Sequence, residues 1–189
     1  MNQKELAFEY FLVELMRWNM EYKDLKEFDY RNDLSLLKTL KLLFFTVALD
    51  SEKSDSLLDN VFDKFYAMPL GPVELDIYDL AKNENLHFFR LDRYKLSIKG
   101  NQNTWQQVVT EINACKILNT NIKAQITNAV SNLKSAKKSL IKQKAFDLVE
   151  LSHSYNSWIT TYNTSFSNIA YINPSLIKKD YINLETNTF

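Results

Sequence analysis

Residues 62–81 read FDKFYAMPLGPVELDIYDLA, and the interpretation of the whole chain starts from this stretch. It is an aromatic run that ends in the only Gly-Pro step of the chain, Gly71-Pro72, and a helix-like pattern follows at once. We expect Gly71 to adopt a backbone conformation that other residues resist. Pro72 is predicted to occupy the first position of a helix, where its missing N–H costs nothing. Val73 and Tyr78 would then belong to that helix.

A second informative stretch, residues 148–158, reads LVELSHSYNSW. We interpret it as a helix that ends on Ser152-His153, with Trp158 five residues after the histidine. Near the carboxyl end of a helix, a histidine ring can meet unpaired carbonyl groups and the negative end of the helix dipole. His153 is therefore expected to have a structural role.

The composition favours a helical fold. The chain has 189 residues, of which 46% are hydrophobic and 13% aromatic, and this content is typical of a packed globule. Only 2 Gly and 3 Pro are present, too few for the many tight turns of a sandwich or barrel. The predicted fold class is mainly α: a compact helical domain with a small β-hairpin as its minor β part.

Helical spacing of apolar residues locates the elements, and the stretch that ends at Ala48 is apolar enough to be the central core element. A hairpin is predicted from two extended segments, residues 86–91 and 94–97. The three tryptophans, Trp18, Trp105 and Trp158, are interpreted as core residues. Further helices are predicted at residues 3–26, 35–48, 56–63, 104–131, 139–153, 158–166 and 175–181.

The predicted organisation has three parts. Residues 1–31 form an amino-terminal helical extension, residues 32–167 form the domain, and residues 168–189 form a loosely held tail. Cys115 cannot form an internal disulfide, because it is the only cysteine, and we expect it to be a small buried or half-buried side chain on the long helix. No signal-like or membrane-spanning segment is recognisable, so the sequence predicts a cytoplasmic protein.

Catalytic motifs are missing from the sequence. It contains no P-loop, GxGxxG, GxSxG or HExxH, and only 2 His, so we predict a protein that is not an enzyme and has no cofactor. One alternative is a metalloenzyme, because both histidines stand in E-x-x-H pairs, Glu84 with His87 and Glu150 with His153. His87 starts an extended segment in this interpretation, which spoils the helical geometry of the first pair, and no metal ligand is assigned.

Charge is unevenly distributed although its net value is zero. Up to position 96 there are 18 Asp and Glu against 13 Lys and Arg, and the excess reverses beyond it. On one continuous helix, Lys134, Lys138 and Lys142 would stack on a single face beside Lys137 and Lys144. A solvated face or a patch for an acidic partner suits this stretch. A nucleic-acid reader is disfavoured, since the stretch lacks arginines and interleaved aromatics.

Three pieces of the chain follow one another in a characteristic order: KLLFF at residues 41–45, FYAMPLGPV at residues 65–73 with Tyr78, and Leu-Ser-His at residues 151–153 with Trp158. Taken together, they resemble the Panacea domain, the SocA-like antitoxin domain of bacterial and phage toxin-antitoxin pairs. The resemblance spans about residues 33–165. It implies that Gly71, Pro72, Val73, Tyr78, Ser152, His153 and Trp158 are family motif residues with a structural role. The chain departs from the family pattern at Leu70, where a tyrosine is common, and in its extra amino-terminal helix.

The resemblance implies a helical protein that neutralises a cognate protein toxin, encoded by an adjacent gene, by direct binding. An adaptor that delivers the toxin to a protease is the alternative. No membrane partner is expected. The predicted partner-binding residues lie on the amino-terminal helix, which carries aromatics on more than one face, and on the loop before the Gly-Pro step; they are Phe8, Trp18, Tyr66, Met68 and Leu70. The alternative for the amino-terminal helix is that it simply completes the core.

Overall fold

The structure is a computed structural model that describes residues 2–100 and 104–180. Its first helix, α1 (Gln3–Tyr22), begins with a capping box: Asn2 Oδ1 accepts from the Glu5 N–H at 2.8 Å, and Glu5 Oε2 accepts from the Asn2 N–H at 3.1 Å. The helix ends four residues earlier than predicted, before Asp24, whose φ is +53°. Most of its side chains are buried, including acidic ones.

Helix α2 (Leu36–Asp50) is a central core element, as predicted. Ser35 caps it by accepting from the Lys38 N–H at 3.3 Å. Lys38 and Lys41 lie on this helix and are nevertheless buried. A short helix, α3 (Leu57–Asn60), follows with its own capping box at Ser56.

The segment around the Gly-Pro step differs from the prediction. It forms a β-hairpin of β1 (Phe65–Met68) and β2 (Gly71–Glu74), with Met68 opposite Gly71 and Ala67 opposite Pro72. Pro72 is therefore a strand residue and not the first residue of a helix. Helix α4 (Leu75–Lys82) begins three residues later, where Glu74 Oε2 accepts from the Ile77 N–H at 2.9 Å.

The predicted second hairpin is confirmed in antiparallel strands β3 (Phe89–Leu91) and β4 (Leu96–Ile98). Its position is set by side chains from distant parts of the chain. Glu9 Oε1 of α1 accepts from the N–H groups of Phe88 and Phe89 at 2.6 and 3.2 Å. Burial raises the pKa of Glu9 to about 7, against the effect of these hydrogen bonds.

The predicted long helix at residues 104–131 is two helices, α5 (Trp105–Ala114) and α6 (Thr120–Ala136). The break follows from local capping, because Asn119 accepts from the Ile122 N–H at 2.8 Å and starts a new helix. Cys115 is half-buried, as expected, but it stands at the end of α5 and not inside a long helix.

After α6 come a 3₁₀ helix (Lys138–Lys142), α7 (Ala145–His153) and α8 (Asn156–Thr164). The 3₁₀ segment means that Lys134 and Lys138 lie on different elements, so the predicted lysine stripe on one helical face is wrong. Lys134 forms an ion pair with Glu21 at 2.5 Å.

The carboxyl-terminal part of the described chain is integrated into the fold. Strand β5 (Ala170–Tyr171) pairs with β1, which completes a three-stranded antiparallel sheet of order β2-β1-β5 that the sequence analysis did not predict. Helix α9 (Pro174–Ile177) is shorter than the predicted helix at residues 175–181, whose last residue lies outside the described part. Buried Asp180 accepts from the N–H groups of Asn156 and Ser157 at 3.1 and 2.7 Å.

One hydrophobic core unites residues from α1 through α9, so the predicted boundary between residues 31 and 32 does not separate two cores. Helix α1 packs against α4, α5 and α6. Phe8 is 0% exposed and Trp18 is 2% exposed. The prediction that these two side chains contact a partner is therefore corrected, because α1 completes the core and leaves no surface at either ring.

Candidate binding site

The loop of the first hairpin depends on Gly71. Its φ of +89° lies in the region that favours glycine, as the sequence predicted. A Cβ at this position would collide with Ser152 Oγ and would lie 3.0 Å from Lys41 Nζ. Two separate requirements, backbone conformation and close approach, therefore exclude larger residues.

Lys41 of α2 holds the same hairpin through a hydrogen bond to its backbone. Its Nζ donates to the Pro72 carbonyl at 2.7 Å, and the side chain is 0% exposed. Burial lowers the pKa of Lys41 to about 7, and no carboxylate among the described residues pairs with it. The amine consequently loses most of its preference for the charged form and acts as a buried hydrogen-bond donor.

The motif residues Ser152, His153 and Trp158 also pack near the hairpin. Ser152 Oγ donates to the Val149 carbonyl at 2.7 Å and is buried, while Trp158 Nε1 donates to the Met68 carbonyl at 3.0 Å. The His153 ring stacks on Trp158 with centroids 4.0 Å apart and an interplanar angle of 14°. His153 is the last residue of α7, as expected.

Burial lowers the pKa of His153 below its usual value, although the charge of Glu150 acts in the opposite direction. The imidazole is therefore neutral at pH 7 and suited to stacking. The ring of Tyr162 also stacks on Trp158, with the centroids of these two rings 4.8 Å apart. We call the group of Lys41, Gly71, Ser152, His153 and Trp158 the hairpin cluster, since all five side chains or backbones meet at the first hairpin.

Beside the hairpin cluster lies a depression of about 780 Å³, which we call the apolar groove. Its walls come from α2, the first hairpin, α4, the end of β3 and the start of α7. The groove is lined mainly by apolar side chains, among them Leu36, Leu37, Met68, Leu70, Val73, Tyr78 and Phe146.

Two large apolar side chains at the groove are exposed: Leu70 at 45% and Phe146 at 65%. Met68 and Tyr78 are half-buried, and Val73 is buried at its base. The groove therefore combines a concave shape with a mainly apolar lining, which is the usual form of a binding site.

The structure thus separates the five predicted partner-binding residues. Met68 and Leu70 line the apolar groove. Tyr66 is half-buried in β1 and packs edge-on against Tyr171, with ring centroids 5.5 Å apart. Phe8 and Trp18 lie in the core.

Sequence reasoning missed Phe146, Lys82 and Arg93, which also line the groove. Phe146 follows Lys144-Ala145 and looks like any apolar residue of the predicted helix 139–153. In the structure α7 starts at Ala145, so Phe146 lies in its first turn. The local signal of that start is Asp147, whose Oδ2 accepts from the Lys144 N–H at 3.2 Å, because acidic residues are favoured in the first turn of a helix.

A second depression, of about 720 Å³, lies near the start of α1 and is polar. Lys4 Nζ reaches Asp63 and Glu74 at 2.8 Å and Asp76 at 2.9 Å. Partial burial acts against the charged amine, but the three carboxylates outweigh it and raise the pKa of Lys4. Lys64 Nζ also pairs with Asp76 at 3.0 Å, so each of the three carboxylates has a lysine partner. We therefore interpret this group as a structural ion-pair network.

The two E-x-x-H pairs do not combine. Glu84 stands after α4 with φ of +57°, and His87 follows in the connection to β3, whereas Glu150 and His153 are on α7. Within residues 2–100 and 104–180, no three His, Cys, Asp or Glu side chains form a group that could hold a metal ion.

We compared the chain with protein-family models, curated proteins and solved structures, and none of the three comparisons finds a match. The Panacea resemblance therefore rests on the motif residues alone. No helix in the described part has the length and apolar character that a membrane span requires.

Proposed function

We propose that this protein is an antitoxin that binds a cognate protein toxin directly and neutralises it. The observation that carries the proposal is the apolar groove, with exposed Leu70 and Phe146 beside the hairpin that bears the Gly-Pro motif. Large apolar side chains in a concave surface are good anchors for a protein partner.

The hairpin cluster supports the same proposal. Residues from three motif pieces far apart in sequence, Lys41, Gly71 and Ser152, converge on one hairpin. Their contacts are with each other and with backbone groups, so they hold in place the hairpin that forms one wall of the groove. A platform without an open reactive group suits a binding protein better than an enzyme.

Growth of cells that co-express the protein with the product of its adjacent gene tests the proposal. We expect the neighbour alone to arrest growth and the pair to grow. Leu70→Glu combined with Phe146→Glu should abolish the rescue. Both positions are exposed, so the variant should still fold, but its two new carboxylates would disfavour contact with an apolar surface of the partner. A neighbour that is harmless in the absence of this protein would overturn the proposal.

The fate of the toxin separates direct neutralisation from the adaptor alternative. Direct binding predicts a stable complex with unchanged toxin level. Delivery to a protease predicts rescue accompanied by loss of the toxin, which immunoblotting of cells with and without the antitoxin would reveal.

A further inference from the structure

We infer that the apolar groove takes an amphipathic α-helix of the partner whose apolar face is flanked by carboxylates, an inference that rests on the function proposed above. Three features of the groove lead to this occupant: its apolar floor, a neighbouring edge strand that is buried and contains a proline, and the charge left at its rim.

The floor and walls fit a row of apolar side chains. Leu70 and Phe146 stand on different elements of the rim, and Met68 and Tyr78 lie between the groove and the core. A helix that presents side chains at i, i+3, i+4 and i+7 places such a row on one face. Burial of apolar area on both sides would then drive association.

An added β-strand is the main competing mode of peptide capture, and the groove does not favour it. Strand β2 is the edge of its sheet on this side, and all four of its residues are buried. Pro72 has no N–H to donate, and its carbonyl already accepts from Lys41 Nζ. A partner that satisfies its own backbone hydrogen bonds, as a helix does, therefore fits this wall better.

The rim carries two cations that are not neutralised. Lys82 lies over the Tyr78 ring at 5.2 Å and Arg93 over the Tyr94 ring at 4.9 Å, and neither pairs with a carboxylate among the described residues. Both side chains are exposed. Carboxylates on the occupant would meet them directly.

The two rim carboxylates are already engaged. Glu84 forms an ion pair with Arg90 at 2.8 Å. Asp92 Oδ1 accepts from the N–H groups of Tyr94 and Lys95 at 2.6 and 2.9 Å. Asp92 nevertheless keeps its negative charge, because N–H donors are neutral, and it offsets one of the two rim cations. With Glu84 paired to Arg90, the excess of Lys82 and Arg93 over Asp92 leaves the rim with a net positive charge, which favours an acidic flank over a basic one.

Two synthetic peptides of about 18 residues, long enough for five helical turns, test the inference on the purified full-length chain. Both carry the same leucine face, and the flanking positions are Glu in one peptide and Lys in the other. Fluorescence anisotropy should show the Glu peptide binding at least about tenfold more tightly. Equal binding of the two peptides, tighter binding of the Lys peptide, or no binding of either would overturn the inference.

Variants locate the binding. Lys82→Glu with Arg93→Glu should reverse the preference between the peptides, whereas Lys26→Glu, an exposed cation outside the groove, should leave it unchanged. Phe146→Glu should abolish binding, and Phe166→Glu, at a fully exposed position elsewhere, should not. A preference that survives the rim reversal would overturn the inference.

Light scattering of the free protein tests a second copy as occupant. A wild-type dimer that Phe146→Glu converts to a monomer would assign the groove to self-association and overturn the inference.

Failure of this inference is also distinguishable from failure of the proposed function. If the groove variants still rescue cells from the toxin, only the inference about the groove is wrong. If the Glu peptide binds as expected but the adjacent gene product is harmless, only the proposed antitoxin function is wrong.

Discussion

At the residue scale, Gly71 and Lys41 explain why the first hairpin has its position. The sequence predicted the unusual backbone of Gly71, because a glycine before a proline marks a turn. It did not predict the role of Lys41, since a lysine within an apolar helix normally extends to solvent. Only the fold brings the Pro72 carbonyl within 2.7 Å of the amine.

Gly71→Ala should destabilise the protein by about 2 kcal/mol or more, because it combines a positive φ with a collision at Ser152 Oγ. Urea denaturation measures the change. Gly100→Ala is the matched control: φ there is +85°, but the residue is exposed, so only the backbone cost of about 1 kcal/mol is expected. Equal effects at the two glycines would show that close packing at Gly71 is unimportant.

The lowered pKa of the buried Lys41 amine predicts a specific pH dependence of the free energy of unfolding. The pKa is about 7 in the folded protein and about 10.4 in the unfolded chain, so the unfolded state binds more protons between these values. Stability should therefore rise with pH across this window, with a contribution of up to about 1.4 kcal/mol per pH unit.

Lys41→Met should remove that contribution, and Lys26→Met, at an exposed position, should keep it. Urea denaturation at pH 7, 8, 9 and 10 measures the slope for each protein. A slope that is the same in wild type and Lys41→Met would contradict the burial of an uncharged amine.

At the scale of elements, apolar periodicity located most helices, while strands and breaks were harder to predict. The pattern around Pro72 was assigned to a helix, because proline is common at a first helical turn and rare in strands. The proline is tolerated in β2 because this strand is a sheet edge, which the local sequence does not reveal. Strand β5 has two residues, too few for any recognisable alternation.

Helix α1 shows the limit of periodicity for finding a surface. Aromatics on more than one face suggested exposed anchors, but the helix is surrounded by other elements. Phe8→Ala should therefore cost about 3–5 kcal/mol, as expected for a cavity in a packed core. Phe146→Ala, at a side chain that is 65% exposed, should change stability by less than about 0.5 kcal/mol.

Thermal or urea unfolding of these two variants gives the comparison. Deletion of residues 1–30 should unfold the protein, because α1 is part of its only described core. The same unfolding measurements on the truncated chain test this expectation. If the truncated chain gave a cooperative transition like that of the full chain, α1 would be an appendage after all.

At the scale of the whole molecule, the sequence predicted a mainly helical fold, and the structure confirms it. The motif pieces were recognisable, but their assembly into one cluster depends on packing between α2, the first hairpin and α7. Two of the five predicted partner residues lie in the apolar groove. Phe146 and the rim cations escaped notice, because nothing in a single sequence shows which side chains remain uncovered after folding.

Size-exclusion chromatography with light scattering of this protein co-expressed with the adjacent gene product tests the central claim most directly. We expect one stoichiometric complex with the wild-type chain, and separate components when Leu70→Glu and Phe146→Glu are introduced together. Phe166→Glu should leave the complex intact. Absence of a complex with the wild-type chain, at an unchanged level of the neighbour, would contradict direct binding, and a complex that the groove variant also forms would contradict binding through the apolar groove.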